Sequence, residues 1–234
     1  MPATARGQRT RRLILESTAQ VFDQQGYAGA TLNRLVESTG LTRGAFYFHF
    51  ESKDALAVAI AEEQATRWQQ LRDQVESQER DPLRRLVSLI CRTAFAFRDD
   101  PTIRAASRLL LDRGLIEREM PRTAPWWRDV VAGYLRAADG DGQLRDLSYL
   151  QLNAQAAAER GGVDRLADHV VSQLASIGLM ASKRPDAQFE LQYVTWAILL
   201  PAMCADPATA EELMALVRTL LHPVSAEAVP VPDL

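Results

Sequence analysis

Thr31-Leu-Asn-Arg-Leu-Val-Glu-Ser-Thr-Gly-Leu-Thr-Arg-Gly-Ala-Phe-Tyr-Phe-His-Phe50 reads as two short helices joined at Gly40-Leu41-Thr42. Leu32, Leu35 and Val36 form the inner face of the first helix, and Leu41, Ala45 and Phe46 close onto it. Gly40 supplies the permissive backbone that a tight turn between helices needs. Thr31 and Thr42 each precede a helix, where a hydroxyl accepts an otherwise unpaired backbone N–H. The second helix keeps an outer face of Thr42, Arg43, Gly44, Tyr47 and His49. Short side chains at its start allow close approach to base edges in a major groove, and Arg43 has the fork that reads guanine. Thr42 and the first N–H groups suit a phosphate.

Outward from this stretch the signals stay helical. Leu13 or Ile14, Thr18, Val21 and Phe22 form one apolar stripe on a helix from Gln8 to Gln25, which Gly26 stops. Ser52 caps a long helix from Lys53 to about Gln78; Asp81-Pro82 and Asp100-Pro101 open the next two, to about Phe97 and Arg113. A proline loop at Pro121 and Pro125 precedes Trp126 to Ala138. A polar Ala/Gln stretch runs from Ser148 to Arg160, and later helices span Val163–Met180, Asp186–Cys204 and Pro207–Leu221. Hairpin and alternating strand patterns are missing. The expectation is an all-α chain: a three-helix helix-turn-helix domain over residues 1–52, a larger helical ligand-binding and dimerisation domain over 53–222, and a flexible tail over 223–234, where three prolines fall.

Charge divides along the same line. The chain of 234 residues has a net charge of -3. Residues 1–53 hold seven basic and four acidic side chains, a net +3, which leaves -6 for the rest. A basic head on an acidic body points to a polyanion met by the head alone. Cys91 and Cys204 form neither a disulfide framework nor a metal motif, and no apolar segment follows the N-terminal arginines, so a cytoplasmic protein without a signal peptide is expected. The apolar run Val194 to Ala205 is too short for a bilayer, which needs about 20 residues. His49, His169 and His222 lack metal-ligand spacing; nucleophile elbow and phosphate loop are absent, and Asp139-Gly-Asp-Gly142 lacks the remaining ligands of a calcium loop. No enzyme, metal or cofactor is expected.

Gln25-Gly-Tyr27, Thr31, Gly40-Leu-Thr-Arg-Gly-Ala-Phe-Tyr-Phe-His-Phe50 and Lys53 with Leu56 together resemble the N-terminal signature of the TetR family of bacterial repressors, over residues 8 to 57. The resemblance implies a DNA-binding head on a ligand-sensing body that dimerises. It places Thr31, Tyr47, His49 and Lys53 on phosphates and Thr42, Arg43, Gly44 and Ala45 in the groove, with Phe46, Phe48 and Phe50 in the core. Lys53 agrees on physical grounds, because a cation at a helix start is unfavourable unless an anion lies nearby.

Within that family, Glu62-Glu-Gln64, Ala94-Phe-Ala-Phe-Arg-Asp-Asp-Pro101, Arg104-Ala-Ala-Ser-Arg-Leu109 and Trp126-Trp-Arg-Asp129 are similar in order and spacing to the γ-butyrolactone receptors of antibiotic-producing actinobacteria, up to about residue 138. The resemblance implies a small amphiphilic effector with a lactone, butenolide or furan head, and puts Gln64 and Trp127 on it. An apolar tunnel with a few polar groups suits such a molecule. Ile60, Gln64, Trp68 and Leu71 share one stripe; Trp68, Trp126, Leu110 and Ile90 are candidate walls, and Gln173 a candidate donor. The helix Asp186–Cys204 is apolar nearly all round and, with Val163–Met180, is the expected homodimer face. A two-fold dimer selects a palindromic operator. The expected mechanism is repression relieved by the effector, with the helix from Lys53 to Gln64 as the link. Two alternatives share the head: a multidrug-sensing repressor of an efflux pump, and a receptor homologue that answers to antibiotics.

Overall fold

The computed structural model describes residues 5–150, 161–181 and 187–221. Its helices are α1 (Ala5–Gly29), α2 (Leu32–Ser38), α3 (Arg43–His49), α4 (Lys53–Gln78), α5 (Pro82–Asp99), α6 (Pro101–Leu111), α7 (Thr123–Gly140), α8 (Gly162–Ala181), α9 (Ala187–Met203) and α10 (Pro207–Leu221). Short 3₁₀ turns occupy Asp112–Leu115 and Ser148–Leu150. Among the described residues the β pairing is one isolated bridge, Leu144 to Cys204. The fold is therefore all-α. The tail after residue 221, most of the Ser148–Arg160 stretch and the loop 182–186 lie outside the described residues.

Side-chain caps set the starts of five successive helices. Thr31 accepts the N–H of Arg34 at 3.3 Å, Thr42 that of Ala45 at 3.3 Å and Ser52 that of Ala55 at 3.1 Å. Asp81 accepts from Arg84 and Asp100 from Thr102, both at 2.8 Å. Each cap satisfies a donor that the helix itself leaves unpaired. α1 breaks at Gly26, where the sequence places its end: the backbone there is non-helical (φ 69°, ψ -179°), and one further helical turn runs from it to Gly29. α6 ends two residues early, and its last turn tightens into Asp112–Leu115.

Two apolar clusters form. The body cluster contains Trp68, Leu83, Leu86, Ile90, Phe97, Ile103, Trp127, Leu135, Leu174, Trp196 and Leu213, among others. The second joins Ile14, Phe22, Leu35, Phe46, Phe50, Leu56 and Ile60 to Ala105, Ala106 and Leu109 of α6. The small head thus completes its core with alanines and a leucine from α6. A three-helix unit of about fifty residues buries little apolar surface alone, so this loan matters to its stability. α6 faces both clusters, with Ile103 in one and Ala105, Ala106 and Leu109 in the other.

Candidate DNA interface and effector site

In α3, Phe46 is fully buried and Phe50, the C-cap, nearly so. They lie four residues apart on one face. Phe48 falls between them and is 85% exposed. The expectation that it sits in the core is corrected: the helical period turns it outward, and its ring stands edge-on to His49 at 5.2 Å. Thr31, Thr42, Arg43, Gly44 and Tyr47 are exposed, while Ala45 and His49 are half-buried. One surface therefore carries α3's outward residues, an apolar ring included. Arg43 is already oriented, because its Nη2 donates to Asn33 Oδ1 on α2 at 2.7 Å. Asn33 and Phe48 both escaped the sequence reading; the period of α3 could have found Phe48, whereas Asn33 needed the packing of α2 on α3.

Lys53 opens α4 and is partly buried. Its Nζ stands 3.9 Å over the ring of Tyr27, a cation–π contact. Tyr27 Oη donates to Asp54, and the N–H of Tyr27 donates to Asp112 Oδ2 at 2.9 Å. Burial holds Lys53 below its ordinary pKa, against the opposing pull of Asp54 and Asp112. Burial first, and then the bond to Asp54, push the Tyr27 phenol well up. Asp54 also accepts the N–H of Glu117 at 2.9 Å, and Glu51, just after α3, pairs with Arg118. The loop after α6 thus holds two carboxylates beside the surface that carries α3, one by a backbone N–H and one by an ion pair.

In the body, three tryptophans meet. Trp68 on α4 lies 5.5 Å from Trp127, and Trp127 lies 5.0 Å from Trp126, both tilted edge to face. Phe97 of α5 completes the group, 5.6 Å from Trp68. Arg72 covers the outer ring, Trp126, at 5.7 Å. Gln64 is buried, as its stripe required. Its Nε2 donates to Ile103 O at 2.8 Å and to Ser107 Oγ at 2.7 Å, both on α6, while its Oε1 is buried without a partner. Ile90 and Gln173 line a separate cleft with Val170, Leu174, Gln192, Thr195, Trp196 and Leu199. Its volume of ≈ 10 Å³ takes at most one water. Gln192 Oε1 is buried there without a partner. The structure brings Trp68, Trp126 and Trp127 together and puts Ile90 with Gln173. Gln64 stands at the α4–α6 contact. Leu110 packs against the head-side cluster, away from the other candidates.

α9 is apolar on two sides. Trp196 and Leu200 are buried, whereas Tyr193, Val194 and Ile198 are exposed, Ile198 at 65%. His169, Ser172 and Ser176 of α8 are also exposed. No helix among the described residues is long and apolar enough to cross a membrane, and no cluster of metal-ligating side chains occurs among them.

Comparison with known proteins places this arrangement. The profile of bacterial regulatory proteins of the tetR family matches residues 14–60. The A-factor receptor protein of Streptomyces griseus is 31% identical over 212 residues, which cover 82% of this chain and 73% of the receptor. A crystal structure of an ArpA-like γ-butyrolactone receptor shares 27% identity with a TM-score of 0.73, over 92% of this chain and 98% of the other. CprB from Streptomyces coelicolor, solved in complex with its operator sequence, shares 26% identity with a TM-score of 0.74, over 93% and 98%. The chain belongs to the tetR family of transcriptional regulators, in the branch similar to the γ-butyrolactone receptors.

Proposed function

We propose that the chain acts as a homodimeric repressor that holds a palindromic operator in its effector-free state and releases it when a small amphiphile of γ-butyrolactone, butenolide or furan type enters the body. The genes so controlled would be those of antibiotic or other secondary-metabolite production. Residues 1–52 are taken as the DNA-binding unit and 53–222 as the sensing and dimerising unit. Thr31, Tyr47, His49 and Lys53 meet phosphates; Thr42, Arg43, Gly44 and Ala45 face the groove. The relatives support this reading by their names, which speak of A-factor, γ-butyrolactone and an operator.

The observation that carries it is the surface of α3. Arg43, Tyr47 and Phe48 stand outward on a helix whose start is capped by Thr42, with Arg43 held ready by Asn33. Cations and apolar rings exposed together at a helix of seven residues bury little surface in the isolated chain. They match a groove of phosphates and thymine methyl groups. Two such helices on a dimer built through α8 and α9 would stand one duplex turn apart, about 34–36 Å. In the body, the edge-to-face Trp68–Trp127–Trp126 group offers an apolar wall. An effector that enters between these packed rings must part them. Ligand that binds the parted form better shifts the population toward it and away from DNA.

The test is a duplex selected by the chain from a random-sequence pool, titrated with a γ-butyrolactone carrying an alkyl side chain. Wild-type protein should release the duplex. Trp127→Ala should bind it with undiminished affinity and fail to release it. Unaltered release by that variant removes Trp127 from the effector site, and selection of no duplex sinks the repressor reading.

A further inference from the structure

We infer that Arg104 positions the DNA-binding head according to the state of the body's aromatic group, acting through Asp23. The inference rests on the reading above, in which the body governs DNA binding.

Arg104 lies on α6 between Ile103, which belongs to the body cluster, and Ala105, which belongs to the head-side cluster. Its Nε donates to Asp23 Oδ2 of α1 at 2.8 Å. Its Nη1 donates to Phe97 O at 2.8 Å and to Arg98 O at 2.7 Å. Those carbonyls belong to the last turn of α5, where a helix has no N–H of its own to offer and where a cation is favoured by the dipole. One planar guanidinium therefore joins the end of a body helix to the turn of the head's first helix that precedes Gly26. Arg108 repeats the link one turn on, donating to the carbonyl of the same Asp23 at 2.8 Å. The side chains of Arg104 and Asp23 are only 15% and 14% exposed, so water has little room to replace a lost bond, and a lost bond is costly.

The other end of the link is the tryptophan group. The residue whose carbonyl Arg104 binds, Phe97, packs its ring on Trp68, and Trp68 packs on Trp127. A molecule that separates Trp68 from Trp127 displaces Phe97 and with it the end of α5. The guanidinium fork is rigid. It must then abandon the α5 carbonyls or draw Asp23 and α1 along. α1 carries Ile14 and Phe22 against Leu35, Phe46 and Phe50, so a shift of α1 re-aims α3. This route is distinct from α4, which joins Lys53 to Trp68 along one continuous helix.

The four tryptophans, Trp68, Trp126, Trp127 and Trp196, all lie beyond the head. Their emission therefore reports the body, and by reciprocity a ligand at the head must be felt there if the two are coupled. The experiment titrates the full chain with a duplex selected by the wild-type protein, reading affinity from the anisotropy of a labelled duplex and body state from tryptophan emission. Wild type should change emission on saturation. Arg104→Met and Asp23→Asn should bind the duplex and lose the emission change. An arginine with a merely structural role would lower stability and affinity together and leave the emission change at saturation intact. If Arg104→Met fails to fold, as circular dichroism would show, Asp23→Asn carries the test, since it leaves Arg104 to cap α5. A full emission change in the folded variants overturns the inference, as does a wild type whose emission ignores bound duplex. A wild type that selects no duplex at all fails earlier, at the repressor reading, and takes the inference down with it.

Discussion

The ammonium of Lys53 sits 3.9 Å above the ring of Tyr27, at the start of α4 and beside the surface that carries α3. The aromatic face keeps the cation in place in the free chain, and burial holds its pKa below that of an ordinary lysine. A phosphate brought to the same ammonium would favour the charged form and raise that pKa again. Duplex binding is then linked to proton uptake. Affinity should be full at neutral pH and fall as pH rises through the free-chain value, earlier than the ordinary lysine range near about 10.4. Tyr27, whose phenol is pushed up, stays neutral across that window. Lys53→Met should bind more weakly to all duplexes, flatten the pH profile and reduce the salt slope by about 0.9. Anisotropy titrations at several pH values and salt concentrations decide it; a variant with the wild-type pH profile removes Lys53 from the interface.

Gly26 and Gly40 share a positive φ and differ in their surroundings. Both have left-handed φ, 69° and 66°. A Cβ at Gly40 meets nothing within 4 Å, whereas at Gly26 it comes 2.9 Å from Arg108 Nε and 3.2 Å from Asp112 Oδ2. Gly40→Ala should cost about 1–2 kcal/mol, the penalty of that conformation alone, and Gly40→Asn less. Gly26→Ala should cost more, because Arg108 and Asp112 bind Asp23 and Tyr27 across the head–α6 contact and must shift. Urea unfolding of the three variants orders them; equal losses at both glycines would contradict the close approach.

Much of this architecture is written in the sequence, for reasons that stay local. Caps at Thr31, Thr42, Ser52, Asp81 and Asp100 act on backbone groups two or three residues away, and the helices they start fall where the sequence put them. The outward set on α3 is legible for the same reason, except at Phe48, where three phenylalanines in five positions suggest one core. The body was harder. Gln64 is answered by Ile103 and Ser107, 39 and 43 residues on. Leu110 goes to the head side of α6, because α6 completes the head's core with Ala105, Ala106 and Leu109. Neither arrangement leaves a periodic trace in the chain, since each depends on which helix α6 packs against.

Ile198 and Val194 stand exposed on α9 while Trp196 and Leu200 bury the opposite side. A charge placed among apolar side chains that another subunit covers is costly to desolvate. Ile198→Glu should therefore yield a folded monomer by light scattering, with unchanged helicity, and should weaken binding to a palindromic duplex far more than to a half-site. A dimer of undiminished stability would move the interface elsewhere.

Cys91 and Cys204 test the packing of the body without reference to its function. Cys91 is fully buried and Cys204 nearly so. Burial pushes the Cys91 thiol well up, and it raises Cys204 to about 11 against the opposing pull of Arg145. The thiolate is the reactive form, and it is scarce at neutral pH at both positions. Iodoacetamide should add nothing to the native chain over a time in which it labels two thiols in denaturant, read by intact mass. Because both thiols lie in the body cluster with Trp196, an effector that loosens that cluster should open at least Cys91 to slow labelling, whereas duplex alone should not. Rapid native labelling of Cys91 would mean that α5 and α9 are not packed together as described.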